Sequence, residues 1–166
     1  MTMLVARAQL NFVTDLVARF ERYDSTMRPV AEYQSQYIAI IALLRSVGHV
    51  FDKVDCADDQ RRSWSTTRWR EWKKAPIFRE FIEPARNVLL KEFQGGLELQ
   101  NSAFDTIAVV ADPGVPDGFS HVAAFDSAKL RDAEGQPILV KIREALTFWD
   151  LCLREAEAEL PEAATQ

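Results

Sequence analysis

The side chains best suited to chemistry in this 166-residue chain are one arginine and two histidines. Arg86 has Ile82, Leu89, Leu90 and Phe93 at i−4, i+3, i+4 and i+7, so on a helix its side chain borders an apolar stripe. A guanidinium in that setting must snorkel to water, pair with a carboxylate or serve a ligand. Asn87 follows it directly, and Lys91 lies further along the same segment. His49 and His121 are the only imidazoles, and they stand 37 residues before Arg86 and 35 after it. A lone histidine beside an apolar seam, as His49 is beside Phe51, more often packs or faces water than catalyses. The sequence has no GxGxxG, no P-loop, no GxSxG and no HExxH. Cys56 and Cys152 have neither a CxxC spacing nor paired histidines, so neither a disulfide framework nor a zinc site is expected, and no cofactor is implied.

The charge distribution supplies a second candidate. The chain carries a net charge of −5, which argues against a generally basic nucleic-acid binder. From Arg61 to Lys91, however, nine basic residues (Arg68, Arg70, Lys73 and Lys74 among them) face three acids, a local net of +6. Trp64, Trp69 and Trp72 fall in the same stretch and span about 140° of a helical wheel at 100° per residue. Tryptophans on a basic helix could stack bases, but core packing or a partner interface is the commoner use. The basic run itself is more often a solvated face than a binding patch.

These residues must be positioned by helices. The length suits one domain, expected to span 1–166, with an area scaling of roughly 8,000 Å² exposed when folded against about 27,000 Å² unfolded. A composition 48% hydrophobic and 27% charged is that of a globular core rather than a disordered chain. Leu10, Val13, Val17 and Phe20 form one stripe of an amphipathic helix over about 3–22. Pro29 suits the first turn of the next helix, whose seam of Tyr33, Tyr37, Ile40, Leu44, Val47, Phe51 and Val54 alternates steps of four and three. Asp58-Asp59 marks an acidic helix start. A further helix over 77–94 contains Pro84, which should kink it or begin a fresh helix. Gly95-Gly96 ends the helical run. Within the insertion 97–136, the runs 106–111 and 120–125 flank two turn signals and read as a β-hairpin or an ordered Ω-type loop. The last helix, about 137–160, repeats Leu139, Leu146, Leu153 and Leu160, with Ile142 and Trp149 on the same side. The fold class expected is therefore all-α, a four- or five-helix bundle with a small hairpin or irregular insertion before the last helix. Arg7, Asp15 and Arg19 interrupt any leader core, and the longest apolar run, Ile38 to Leu44, is too short to span a bilayer. A cytoplasmic protein without membrane contact is expected.

The segment Arg86-Asn87-Val88-Leu89-Leu90-Lys91-Glu92-Phe93, on a helix downstream of a long bundle helix, resembles the HEPN family of helical nucleotide-binding domains. Many HEPN proteins are RNases that dimerise so that paired Arg-x4–6-His motifs form a composite site. The histidine would fall at position 91, 92 or 93, where this chain has Lys91, Glu92 and Phe93. A positioned proton-transfer group contributes roughly 10²–10⁴ in rate. The resemblance thus implies a non-catalytic, homodimeric binding or assembly module, associated with RNA or with a toxin–antitoxin pair. Its expected ligand-binding residues are Arg86, Asn87, Lys91, Arg68 and Arg70. Two alternatives stand beside it: an RNase or other enzyme whose site joins Arg86 to a histidine from elsewhere, and a structural helix bundle that binds a protein partner.

Overall fold

The computed structural model describes residues 3–22, 26–91, 103–132 and 135–160; Gly95-Gly96, Glu92 and Phe93 lie outside them. Five α-helices dominate: α1 (Val5–Arg22), α2 (Val30–Val50), α3 (Asp59–Trp72), α4 (Glu83–Lys91) and α5 (Ile138–Glu159). Three strands, β1 (Met27–Pro29), β2 (Phe104–Ala111) and β3 (Phe119–Phe125), form an antiparallel sheet in the order β1-β3-β2. The architecture is mostly α rather than all-α. Of the two readings of the insertion, the hairpin holds. The added strand is β1, three residues just before α2 that pair with β3 in the register Met27↔Ala124 to Pro29↔Val122. It is too short to carry any alternation that a sequence pattern could show.

The α1 stripe is buried as its spacing requires, with Leu10, Val13, Val17, Phe20 and also Ala6 inside. No acidic residue of its own stands in its first turn. Asp55, fifty residues away, caps it instead, accepting from the amides of Val5 (2.7 Å) and Ala6 (2.9 Å). A carboxylate there satisfies two orphan donors and faces the positive end of the helix. Arg7, in the first turn, donates two hydrogen bonds of 2.9 Å to Glu157 and a further one to Asp150, which clamps α1 to α5.

In α2, Tyr33, Tyr37, Ile40, Leu44 and Val47 are buried, and Phe51 continues their line into the core. The seam stops there. Val54 is 53% exposed, because Phe51–Asp55 is a π-helical turn. Such a turn inserts an extra residue and rotates the succeeding side chains away from the line of the seam. Cys56 takes up the inward direction that Val54 loses.

Asp58 is the N-cap of α3, accepting from the amide of Arg61 at 2.9 Å. The tryptophans of this helix pack inward: Trp72 is buried, and Trp64 and Trp69 lie half-buried against the core. Trp69 stacks on Trp149 of α5 with centroids 6.1 Å apart and planes at 14°. Both rings press on α2 at Gly48, where an added Cβ would come within 2.1 Å of Trp69 and 2.5 Å of Trp149. The absence of a side chain at this one position sets how closely the indoles approach. Trp149 is held by packing alone, since its indole N–H has no acceptor among the described residues.

The backbone is helical without a break from residue 76 to residue 91, and a π-helical turn precedes Pro84 instead of a fresh helix start. This second π-helical turn, Phe78–Ile82, ends as the Glu83 amide donates to the Phe78 carbonyl, and α4 continues the helix from there with the proline in its first turn. Proline lacks the amide that would reach back one turn to the helical residues before it, and the π-helical turn beside it accommodates that missing donor. Phe78, Phe81 and Ile82 are buried.

The hairpin of β2 and β3 is rooted in aromatic packing. Phe125 meets Tyr33 at 4.8 Å, Phe20 at 5.2 Å and Phe104 at 5.4 Å between centroids. Its turn is closed by Asp112, whose carboxylate accepts from the Gly114 amide at 2.9 Å, and by Gly118 at φ +74°, a left-handed conformation that suits glycine. Toward the turn Ile107, Val109 and Phe119 are exposed. In α5, Leu139, Ile142, Trp149 and Leu153 are buried, while Leu146 and Leu160 pack on the core edge. Buried residues from helices and sheet form one continuous cluster.

The packing predicts two different costs on α2. Leu44→Ala should lose about 2–5 kcal/mol, the range for truncating a buried leucine, whereas Gly48→Ala should lose about 1–3 kcal/mol through overpacking. Reversible urea unfolding measures both. A loss below about 1 kcal/mol for Leu44→Ala would contradict the buried seam.

Candidate ligand cleft between α2 and α4

Helical spacing assembles the site from two short stretches. Arg45, Ser46 and His49 lie within one turn on α2, and Glu83, Arg86 and Asn87 lie within one turn on α4. With Ala42 these six side chains line a cleft of about 450 Å³. His49, distant from Arg86 in sequence, therefore shares a cleft with it. That arrangement depends on which faces of α2 and α4 oppose each other, something no spacing within either segment specifies.

Each lining residue is anchored differently. The Arg45 guanidinium lies over the rings of Phe78 (5.2 Å to the centroid) and Trp69 (5.6 Å), and its Nη2 stands 3.7 Å from Glu83 Oε1. A guanidinium placed over two rings is held by the faces of their π-systems as well as by its carboxylate. Ser46 Oγ donates to the Leu43 carbonyl at 3.1 Å and accepts from the Gln9 amide of α1. His49 is exposed in the last turn of α2. Arg86 is half-buried, and its Nη1 donates to Asn87 Oδ1 at 3.2 Å. Among the described residues no carboxylate stands at ion-pair distance from Arg86. Of the three fates open to an arginine on an apolar border, pairing with an acid is not the one shown.

The other expected binding residues lie elsewhere. Arg68 is drawn into a network with Glu159 (2.7 Å), Glu71 (3.0 Å) and Glu155 (3.2 Å), and its guanidinium lies 5.6 Å over Trp64. Its hydrogen bonds to Glu159 and Glu71 push its pKa above the ordinary arginine value. Together with the 3.0 Å bond from Trp72 Nε1 to Glu155, these contacts tie α3 to the acidic end of α5. Arg68 lines a separate depression on α3, with Gln60, Ser63, Trp64 and Thr67. Arg70 is exposed on α3 and lines neither depression, and Lys91 is the last residue of α4. His121 is exposed on β3, paired across from Val109. Sequence reasoning missed Arg45, Ser46 and Glu83. The available signal was the short helical spacing of Arg45, Ser46 and His49, which acquires meaning only once α4 is known to lie against it.

Neither cysteine can act as a ready nucleophile. Both are free and buried, and burial pushes the thiols of Cys56 and Cys152 up to about 12. No group of three or more His, Cys, Asp or Glu residues with metal-binding geometry occurs among the described residues. No described helix is long and apolar enough to cross a membrane.

Two guanidiniums, an imidazole and a carboxamide around one cleft make up a donor set suited to an oxyanion, and to phosphate in particular. Arginine offers planar, forked donors that match phosphate geometry, and imidazole is the side-chain type that exchanges protons near neutral pH. No known family model matches the chain, and no curated protein or solved structure shows significant similarity to it.

The burial of both thiols predicts their reactivity. A thiol-specific disulfide reagent at neutral pH should label neither cysteine of the native protein within minutes and both after denaturation. Rapid labelling of the native protein would contradict the packing around Cys56 and Cys152.

Proposed function

We propose that this protein is a HEPN-like, non-catalytic module that binds single-stranded RNA by its phosphates in the Arg86 cleft. The observation that carries the reading is an arginine on an apolar border, without a described carboxylate partner, opening into a cleft beside a second arginine and a histidine. Asn87 orients the Arg86 guanidinium and keeps its own side-chain amide N–H groups on the cleft. Exposed Arg70, Lys73 and Lys74 on and beyond α3 would attract the flanking backbone, an interaction that is electrostatic and salt-dependent. Arg68 is assigned a structural part in this reading, since its charge is already met by three glutamates. We place the module in the cytoplasm as a homodimer. The dimer rests on the resemblance alone, because the tryptophans that suggested an interface pack inward.

A second reading is favoured by one specific observation, the position of His49 in the cleft with Arg86. An imidazole brought from α2 could replace the one missing from positions 91–93 and make the protein an RNase. Transesterification by a 2′-hydroxyl needs a proton removed from the nucleophile and another delivered to the leaving group. The cleft's lining holds one imidazole, whereas paired HEPN sites bring two together. Binding without turnover is therefore the preferred reading.

Fluorescence anisotropy with labelled single-stranded RNA tests it. Arg86→Ala should weaken binding by roughly tenfold and lower the salt slope by about 1, as expected for one lost phosphate contact. Equal affinity in variant and parent would contradict the assignment. The same RNAs should stay intact on incubation with the purified protein. Cleavage that disappears in both Arg86→Ala and His49→Ala would establish the second reading instead.

A further inference from the structure

The sheet ends on a strand edge that carries none of the usual protection. β2 is the outer strand in the order β1-β3-β2. The Asp112 amide donates to the Gly118 carbonyl at 2.7 Å, so the even-numbered residues of β2 bond to β3. The backbone groups of Ile107, Val109 and Ala111 therefore point to the outer edge, and nothing among the described residues bonds to them there. The one irregularity in the ladder lies at its base, between Phe104 and Thr106, and leaves 107–111 in regular register. Such edges are ordinarily blunted by a lysine, a proline or an inward-pointing charge. From Thr106 to Ala111 this strand has neither charge nor proline. Ile107 is 52% exposed and Val109 59%, and Phe119 beside them on β3 is 56% exposed.

The edge fits a second copy of the same strand. An antiparallel copy centred on Val109 sets that residue opposite the partner's Val109, and Ile107 opposite the partner's Ala111. Outward backbone groups then face outward groups at every pair, and each such pair exchanges two hydrogen bonds. The contact is isologous and closes on itself. Charge agrees with this register. Asp105 and Asp112, which flank the apolar run, do not meet, because Asp112 falls opposite the partner's Thr106 and Asp105 opposite the partner's Pro113. Asp105 is already paired with Lys129, and Asp112 accepts from Ser120. Pro113 has no amide to donate, so the ladder stops where the uncharged run stops. Only the small Ala111 separates Phe119 from the partner's Ile107, which brings the exposed apolar side chains together. A charged strand would find no counter-charge on this edge. We infer that the outer edge of β2 is the surface through which two copies of this chain join into one continuous sheet. The inference rests on the homodimer proposed above and gives it an interface made of residues that do not line the cleft.

Sedimentation velocity on the full chain at tens of micromolar, with cysteine cross-linking, tests it. The parent should sediment as a dimer of the 18.9 kDa chain. Val109→Lys puts two like charges opposite each other at the axis and should raise the dissociation constant at least about tenfold, with an unchanged circular dichroism spectrum. Val109→Cys supplies a second reading that needs no disruption of the fold. Opposed residues of a hydrogen-bonded pair stand about 5.5 Å apart at Cα, within reach of a disulfide. Mild oxidation should therefore link the two copies through position 109, whereas the exposed Val140→Cys on α5 should stay unlinked. A dimer that Val109→Lys leaves intact, or that Val109→Cys does not link, overturns the β2 interface and leaves the homodimer standing. A parent that sediments as a monomer throughout overturns both.

Discussion

Gly48 is the constraint on which the arrangement of helices depends. A methyl group at that position would fall 2.1 Å from Trp69 and 2.5 Å from Trp149, so α3 and α5 could not press their indoles against α2 as they do. The consequence reaches the cleft within one helical turn. Arg45 and His49 flank Gly48 on α2, and Arg45 is seated over the same Trp69 that Gly48 admits. Phe78, the other ring under Arg45, is itself packed against Trp69 (5.7 Å) and Trp149 (6.1 Å). The polar wall of the site is thus continuous with the aromatic centre of the core, and a displacement of one indole would move a guanidinium.

The arginines divide into two groups by what neutralises them. Arg7 and Arg68 each meet more than one glutamate or aspartate and join α5 to α1 and to α3. Such networks hold helices in register, and their partial exposure keeps the worth of each pair modest. Among the described residues Arg86 is treated differently, with a carboxamide and no carboxylate at its guanidinium. A neutral partner fixes the orientation of the group and leaves its charge available to a ligand. The acidic total of the chain and a cationic cleft are therefore compatible, because Asp150, Glu155, Glu157 and Glu159 lie on α5 and are met by Arg7 and Arg68 away from the cleft.

Much of this was legible in the sequence. The α1 stripe, the α2 seam as far as Phe51, the acidic start of α3 and the hairpin all obey local rules about period, helix ends and turn residues. The failures share a cause, since each depends on contacts between distant segments. Val54 leaves the core because a π-helical turn redirects it, and nothing in the four–three spacing encodes that turn. β1 exists because β3 offers an edge to three residues that have no pattern of their own. The cap of α1 comes from Asp55, far along the chain. For the site, Arg86 and Asn87 could be singled out from the apolar stripe around them, but their meeting with His49, Arg45 and Glu83 required the packing of α2 on α4. The tryptophans of α3 follow the core packing that the sequence reading ranked among the commoner uses, Trp72 being buried and Trp64 and Trp69 half-buried against the core.

The central claim is that Arg86 and His49 act as parts of one phosphate-binding cleft, while Arg68 belongs to the scaffold. Nuclear magnetic resonance of the Arg Nε–H groups and His ring protons, monitored during titration with uridylyl-uridine, tests it most directly. The account predicts that Arg86 and His49 shift together along one binding curve while Arg68 stays in place. An Arg86 signal that does not move, or one that moves on a different curve from His49, would contradict it.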